Sequence, residues 1–127
     1  MLKYIGPLII VDEIAPSRFF YEQILGQKVE YDFGHHVQFK GNFSIHLKSH
    51  FLTLLGDVNQ YHATKKAHNG ELYFETDNLE TIYLGLKHAE VEFIHGIQEQ
   101  PWGQRVIRLY DPDGHVIEIG ETMDAAV

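Results

Sequence analysis

This sequence predicts an α+β fold built from two tandem βαβββ modules, and three observations lead there. Residues 101–121 encode a β-hairpin, because two runs rich in Val, Ile and Leu flank Asp111-Pro112-Asp113-Gly114. Residues 5–25 recur in pattern as residues 70–90, with Gly6 opposite Glu71 and Ile14 opposite Leu79. Near the end of each copy, Ile45-His46-Leu47 matches Ile117-Glu118-Ile119. A parallel α/β sheet is excluded, since there are too few helical segments for the strands.

Each element has its own justification. Residues 5–11 form a short apolar run ending at Asp12-Glu13, which reads as a strand. Pro16-Ser17 opens a helical pattern that sets Phe20, Tyr21, Ile24 and Leu25 on one stripe and stops at Gly26. Residues 28–33 alternate weakly as a second strand, and residues 35–40 and 43–48 give two more around a Gly41-Asn42 turn. In the last of these, Ile45 and Leu47 point one way, and Ser44, His46 and Lys48 the other. Residues 50–55 read as a helical turn, and residues 56–69 are polar and aperiodic. Residues 49–69 are therefore the expected linker between module one, about 1–48, and module two, about 70–121, of a single domain.

The second module begins with the alternating strand 71–76. Asp77 and Glu80 predict a capping box. Residues 78–88 then carry Leu79, Ile82, Tyr83 and Leu86 at helical spacing, and residues 91–94 form a strand. In the closing hairpin, Pro112 presets φ and Gly114 accepts the left-handed geometry of the return. With 112–114 as the loop, Asp111 pairs with His115, Leu109 with Ile117 and Arg108 with Glu118. Ile107, Leu109, Ile117 and Ile119 then share a core face, while Arg108, Tyr110 and Glu118 share the other.

Composition removes several functions. The 127 residues carry 10 Lys+Arg against 18 Asp+Glu, a net charge of −8 with no basic run, which makes the chain a poor candidate for nucleic acid or an anionic membrane surface, and neither is expected as a partner. The absence of cysteine excludes disulfides, thiolate catalysis and zinc–thiolate sites. The first residues, Met1-Leu2-Lys3-Tyr4, do not read as a signal peptide, and no apolar run approaches a membrane span, so a cytoplasmic protein is expected. Ser17, Ser44 and Ser49 lack a Gly-x-Ser-x-Gly setting, and there is no Gly-rich phosphate loop.

Two pieces then carry a resemblance over nearly the whole chain: the helix end Phe20-Tyr21 to Leu25-Gly26, and the hairpin Pro101-Trp102-Gly103-Gln104-Arg105 through Asp-Pro-Asp-Gly to Ile117-Glu118-Ile119. They resemble the vicinal oxygen chelate superfamily of glyoxalases, bleomycin-resistance proteins and extradiol dioxygenases. The resemblance implies a mixed sheet curled into a cup with helices on its outer face, often completed by a second subunit, hence a homodimer. It also implies metal ligands on the first and last strands of each module, which fall on Gly6, His46, Glu71 and Glu118. Strand parity agrees, because the neighbours Ile45, Leu47, Leu72, Ile117 and Ile119 are all apolar.

The chain departs from the family pattern in three places. Gly6 has no side chain, Glu71 stands where the family often has histidine, and His46 where glyoxalase I-like members have glutamate. His46, Glu71 and Glu118 remain as ligands for a divalent Ni, Zn, Mn, Co or Fe ion. Glu71 and Glu118 are also the catalytic candidates. Arg108 and Tyr110, which share the ligand face, and Trp102, as an aromatic wall, are the candidates for holding a small-molecule substrate.

Each residue has a plainer reading. Glu118 could simply pair with Arg108, worth about 0–1 kcal/mol if exposed. Glu71 could be solvated at a strand start, His46 satisfied by a neighbour, and Trp102 part of a core or interface. Arg105 reads as structural. His35, His36, His50, His62, His68, His88, His95 and His115 show no metal spacing. Two functions are thus expected: a metal-dependent lyase or isomerase that stabilises the enolate of a small oxygen-chelating metabolite, or a metal-free binding protein resembling bleomycin-resistance proteins. The Pro-Trp-Gly-x-Arg run and Gly6 favour the second, and Glu118 the first.

Overall fold

The computed structural model describes residues 1–56 and 64–123. The chain divides into two compact units, Met1–Ala63 and Thr64–Val127. Residues 57–63 of the expected linker, His62 among them, lie outside the described residues.

In the first unit, β1 (Leu8–Val11) is followed by α1 (Ile14–Phe19), then β2 (Val29–Asp32), β3 (His36–Phe39), β4 (Phe43–Leu47) and α2 (Lys48–Leu55). The second repeats the plan with β5 (Glu71–Thr76), α3 (Leu79–His88), β6 (Glu92–Glu99), β7 (Arg105–Tyr110) and β8 (Val116–Glu121). The sheets have strand orders β1-β4-β3-β2 and β5-β8-β7-β6, so the internal repeat holds at the level of topology. In each unit the outer pair (β1 with β4, β5 with β8) is parallel and the others antiparallel. No helix among the described residues is long and apolar enough to cross a membrane.

The cores follow from strand parity. Val37, Phe39 and Ile45 are fully buried in the first unit, with Tyr21 of the first helical segment packed against Phe39 and Phe43. In the second unit Ile107, Leu109 and Ile117 are fully buried and α3 adds Leu79 and Leu86. The hairpin register is the expected one: Arg108 faces Glu118, Leu109 faces Ile117, and the Asp111 amide donates to the His115 carbonyl at 3.0 Å.

Several boundaries differ from the sequence reading. The first strand begins at Leu8, because Gly6 and Pro7 precede the ladder. The first helix begins at Ile14, so Pro16 lies inside its first turn, where a missing amide hydrogen costs nothing. It continues as a wider i→i+5 turn over Phe20–Ile24, closed by Leu25 donating to the Phe20 carbonyl at 2.9 Å. The cap of α3 is Asn78, whose side chain accepts from the Thr81 amide at 3.4 Å, and not the Asp77–Glu80 box. Asp77 instead accepts from the Thr122 hydroxyl at 2.6 Å. The expected turn at 50–55 is a two-turn helix starting at Lys48, directly on the end of β4. The strand expected at 91–94 runs on to Glu99, carried through two irregularities in its pairing with β7.

Candidate functional site

In the second unit, Arg108 is fixed at the centre of the sheet. Its guanidinium donates to the Glu118 carboxylate at 2.9 Å from Nε and 2.6 Å from Nη2. Nη2 also donates to Gln100 Oε1 at 3.2 Å, and Nη1 lies 3.0 Å from His95 Nε2. The tautomer of His95 follows from its other side. Nδ1 sits 2.7 Å from the Gly96 carbonyl and must donate there, which leaves Nε2 to accept from Arg108. The side chains are 24% and 9% exposed for Arg108 and Glu118, so this pair is not the weak exposed one that sequence alone allowed.

Glu71 stands at the head of β5, where its partner in the ladder is Val116, and Glu118 is two residues further along β8. Burial of its carboxyl and the nearby charge of Glu118 push the Glu71 pKa up, while Arg108 pulls against them. Glu71 and Arg108 line a cavity of about 350 Å³ together with His68, Gly70, Ile94 and Val116. A carboxyl with a raised pKa and a rigidly held cation therefore share one small-molecule-sized pocket. Glu118 acts on it through its bonds to Arg108.

Two expected substrate contacts are placed elsewhere. The Tyr110 hydroxyl is 2.5 Å from His68 Nε2, with the two rings stacked at 13° and Lys66 Nζ 4.8 Å from the Tyr110 ring centroid. Tyr110 thus holds His68, which lines the cavity. Trp102 is 58% exposed on the turn before β7, and its indole donates to Gln104 Oε1 at 3.0 Å. It forms no wall of this cavity, because its ring is tethered to its own turn. Arg105 is structural as expected, bridging Glu80 at 2.6 Å and Glu121 at 2.9 Å.

His46 belongs to the first unit and lies within a group of histidines. It faces His36 across the β3–β4 ladder, with their Nδ1 atoms 2.8 Å apart. Its Nε2 is 2.9 Å from Nδ1 of His50, which α2 turns back over the end of β4. The His35 ring stacks on His50 with centroids 3.6 Å apart. One ring nitrogen from each of His35, His46 and His50 falls within 4.8 Å of the others. Burial, with the neighbouring histidines, holds the pKa values of His36 and His46 below the usual imidazole value.

The ladders also explain Gly6 and revise the equivalence of His46. A Cβ at Gly6 would run into the Asn42 carbonyl oxygen, so no side chain fits there. Val11 pairs with Leu47 and Thr76 with Glu121, and two residues separate Val11 and Thr76 from their helices. Counted back from those pairs, the counterpart of Glu118 is Ser44, and His46 lies one pleat repeat beyond it. Sequence reasoning dismissed His35, His36, His50 and His95. The usable signal was register, since His36 and His46 are cross-strand partners, as are His95 and Arg108.

Residues 4–124 match the family model described as a glyoxalase-like domain. Among solved structures, a protein of unknown function from Agrobacterium tumefaciens str. C58 is 36% identical with a TM-score of 0.83, over 97% of this chain and 96% of that one. A glyoxalase/bleomycin resistance protein/dioxygenase family enzyme from Burkholderia phytofirmans PsJN gives 16% identity and a TM-score of 0.80, over 94% and 98% of the two chains. Lactoylglutathione lyase from Agrobacterium tumefaciens gives 19% identity and a TM-score of 0.70, over 95% of each. No curated protein matches.

Proposed function

Because this chain belongs to the glyoxalase-like domain family of the vicinal oxygen chelate superfamily, we propose that it is an enzyme moving a proton next to a carbonyl in a small metabolite with adjacent oxygens. The observation that carries this reading is the shared pocket of Glu71 and Arg108. Glu71, its pKa raised by burial and by Glu118, is suited to take a proton from carbon and return it to the neighbouring one. Arg108 is aimed by Glu118, His95 and Gln100, and its guanidinium can hold the oxygen on which enolate charge develops. His68 is the second cavity group able to hydrogen-bond a substrate oxygen.

The donor set also fits a divalent cation. Glu71 and Glu118 offer adjacent hard oxygens whose mutual repulsion raises the Glu71 pKa, and a cation would reverse that. Held by these two carboxylates, it would supply Lewis-acid stabilisation of the same oxygen. The active unit in this reading is a cytoplasmic homodimer; among the described residues β1, β2, β5 and β6 each pair with one strand only, and such edges are commonly covered by a second subunit.

A second reading has its own support. The Arg108 guanidinium already neutralises Glu118, and Gly6 cannot carry a ligand, which favours a metal-free binding protein for a small anion. Deuterium exchange separates the two. In D2O with Mn²⁺, wild type should exchange the carbon-bound proton of at least one α-hydroxyketone, 2-oxoaldehyde or 2-oxo acid, and Glu71→Gln should abolish it. Saturable binding of such compounds, lost in Arg108→Ala and unaccompanied by any exchange, would replace the enzyme with the binding protein.

A further inference from the structure

We propose that His35, His46 and His50 form a binding site for one divalent transition-metal ion, zinc or a similar borderline cation, contained within the first module. The site needs no residue of the carboxylate pair in the second module, and stands or falls independently of the function proposed for that pair.

The geometry is close to what such an ion requires. A tetrahedral centre with metal–nitrogen distances of about 2.0–2.1 Å sets its ligand atoms about 3.3 Å apart. The nitrogens here include a 2.9 Å contact between His46 and His50, and all three lie within 4.8 Å. To close that difference the stacked His35 and His50 rings must turn so that their lone pairs meet at one point. The elements supply rigidity: His46 is 6% exposed on the central strand β4, and His50 sits on a helix that starts one residue after the strand ends. His35 precedes β3, and its carbonyl accepts from the Leu47 amide at 2.8 Å, which ties its backbone to the strand bearing His46.

The second sphere is present as well. With Nε2 of His46 turned to the ion, its proton resides on Nδ1 and is donated to His36 Nδ1, 2.8 Å away. A ligand histidine oriented through its far nitrogen is the common arrangement around zinc. Three neutral ligands leave the ion its full charge and one open position, which suits water, hydroxide or an anionic oxygen. His36 is thus a positioning residue.

Calorimetric titration of metal-free protein with Zn²⁺, and of a parallel sample with Co²⁺ followed by visible absorption, tests the assignment. One ion per chain that depends on the histidines, giving a tetrahedral cobalt spectrum, is expected, counted apart from any ion held by the carboxylate pair. His35→Ala and His50→Ala should each weaken zinc by tenfold or more, and together abolish the cobalt spectrum. His36→Gln should weaken binding by about tenfold without changing stoichiometry. Glu71→Gln should leave the cobalt spectrum and the histidine-dependent ion unaltered, whatever it does to an ion at the carboxylate pair. His35 and His50 are at least partly exposed, so these variants should keep the wild-type circular dichroism. The proposal fails if the double histidine variant binds zinc as wild type does, if the histidine-dependent ion is lost in Glu71→Gln, or if folded wild type takes up none.

Discussion

Replacing Arg108 with alanine strands a charge, and the structure sets how much that should cost. Arg108 gives Glu118 two charge-assisted hydrogen bonds, of 2.6 and 2.9 Å, and the Glu118 side chain is only 9% exposed. Removing one partner costs about 3–5 kcal/mol for a buried pair and about 0–1 kcal/mol for an exposed one. Arg108 is about one-quarter exposed, so Arg108→Ala should lose about 3 kcal/mol, near the low end of the buried range. Most of that loss comes from the carboxylate left behind. Adding Glu118→Gln should therefore restore much of it, with a coupling of about 1.5 kcal/mol or more in a double-mutant cycle.

Acidity gives an independent check. Arg108 holds the Glu71 pKa down against burial and Glu118, so its loss raises that value further. A carboxyl with a raised folded-state pKa contributes stability that is present below its unfolded pKa and lost as pH rises through the folded one. Arg108→Ala should accordingly recover stability, relative to wild type, between pH 7 and pH 4.5. Urea midpoints and slopes of the four proteins at both pH values are the assay. A single variant within about 1 kcal/mol of wild type, or a double variant no more stable than Arg108→Ala, would refute the buried-pair reasoning.

The other expectations are simpler. Leu109→Ala, at a fully buried position opposite Ile117, should cost about 2–5 kcal/mol by urea denaturation with unchanged slope. Glu71→Gln should stabilise the fold slightly at pH 7, by less than about 1 kcal/mol because the residue is exposed, seen as a small rise in melting temperature that vanishes at pH 4. His115→Gln should be pH-dependent in the opposite region. Burial lowers the His115 pKa, but its 2.7 Å contact and charge interaction with Asp111 raise it further, for a net upward shift. The pair's stabilisation is present below the unfolded value of about 6.5 and lost as pH rises through the folded one. His115→Gln should thus cost about 1–2 kcal/mol at pH 6 and clearly less at pH 9, read from urea midpoints.

How far the sequence could be read depended on whether a feature was local. The Asp-Pro-Asp-Gly hairpin set its own register, and the faces of Leu109 and Arg108 followed directly. The repeat was legible because both copies place two residues between first strand and helix. The start of the first helix is shifted from the sequence pattern because Pro16, which suits an opening position, sits within the first turn instead. The histidine group was hidden, since it needs the β3–β4 pairing and the immediate return of α2 together. Arg108 was recognised, but its anchor His95 lies on a strand whose pairing is twice irregular, which pattern alone does not reveal.

The close approach at Gly6 has a consequence for engineering. Installing histidine at position 6 to add a metal ligand is not a single-residue graft, because its Cβ must displace the Asn42 carbonyl, next to Gly41 in the turn that joins β3 to β4. That turn sets the β3–β4 register, and the register holds His36 against His46. A ligand gained at position 6 would come at the expense of the histidine pairing two strands away. Any redesign would have to rebuild the turn first and introduce the new side chain second.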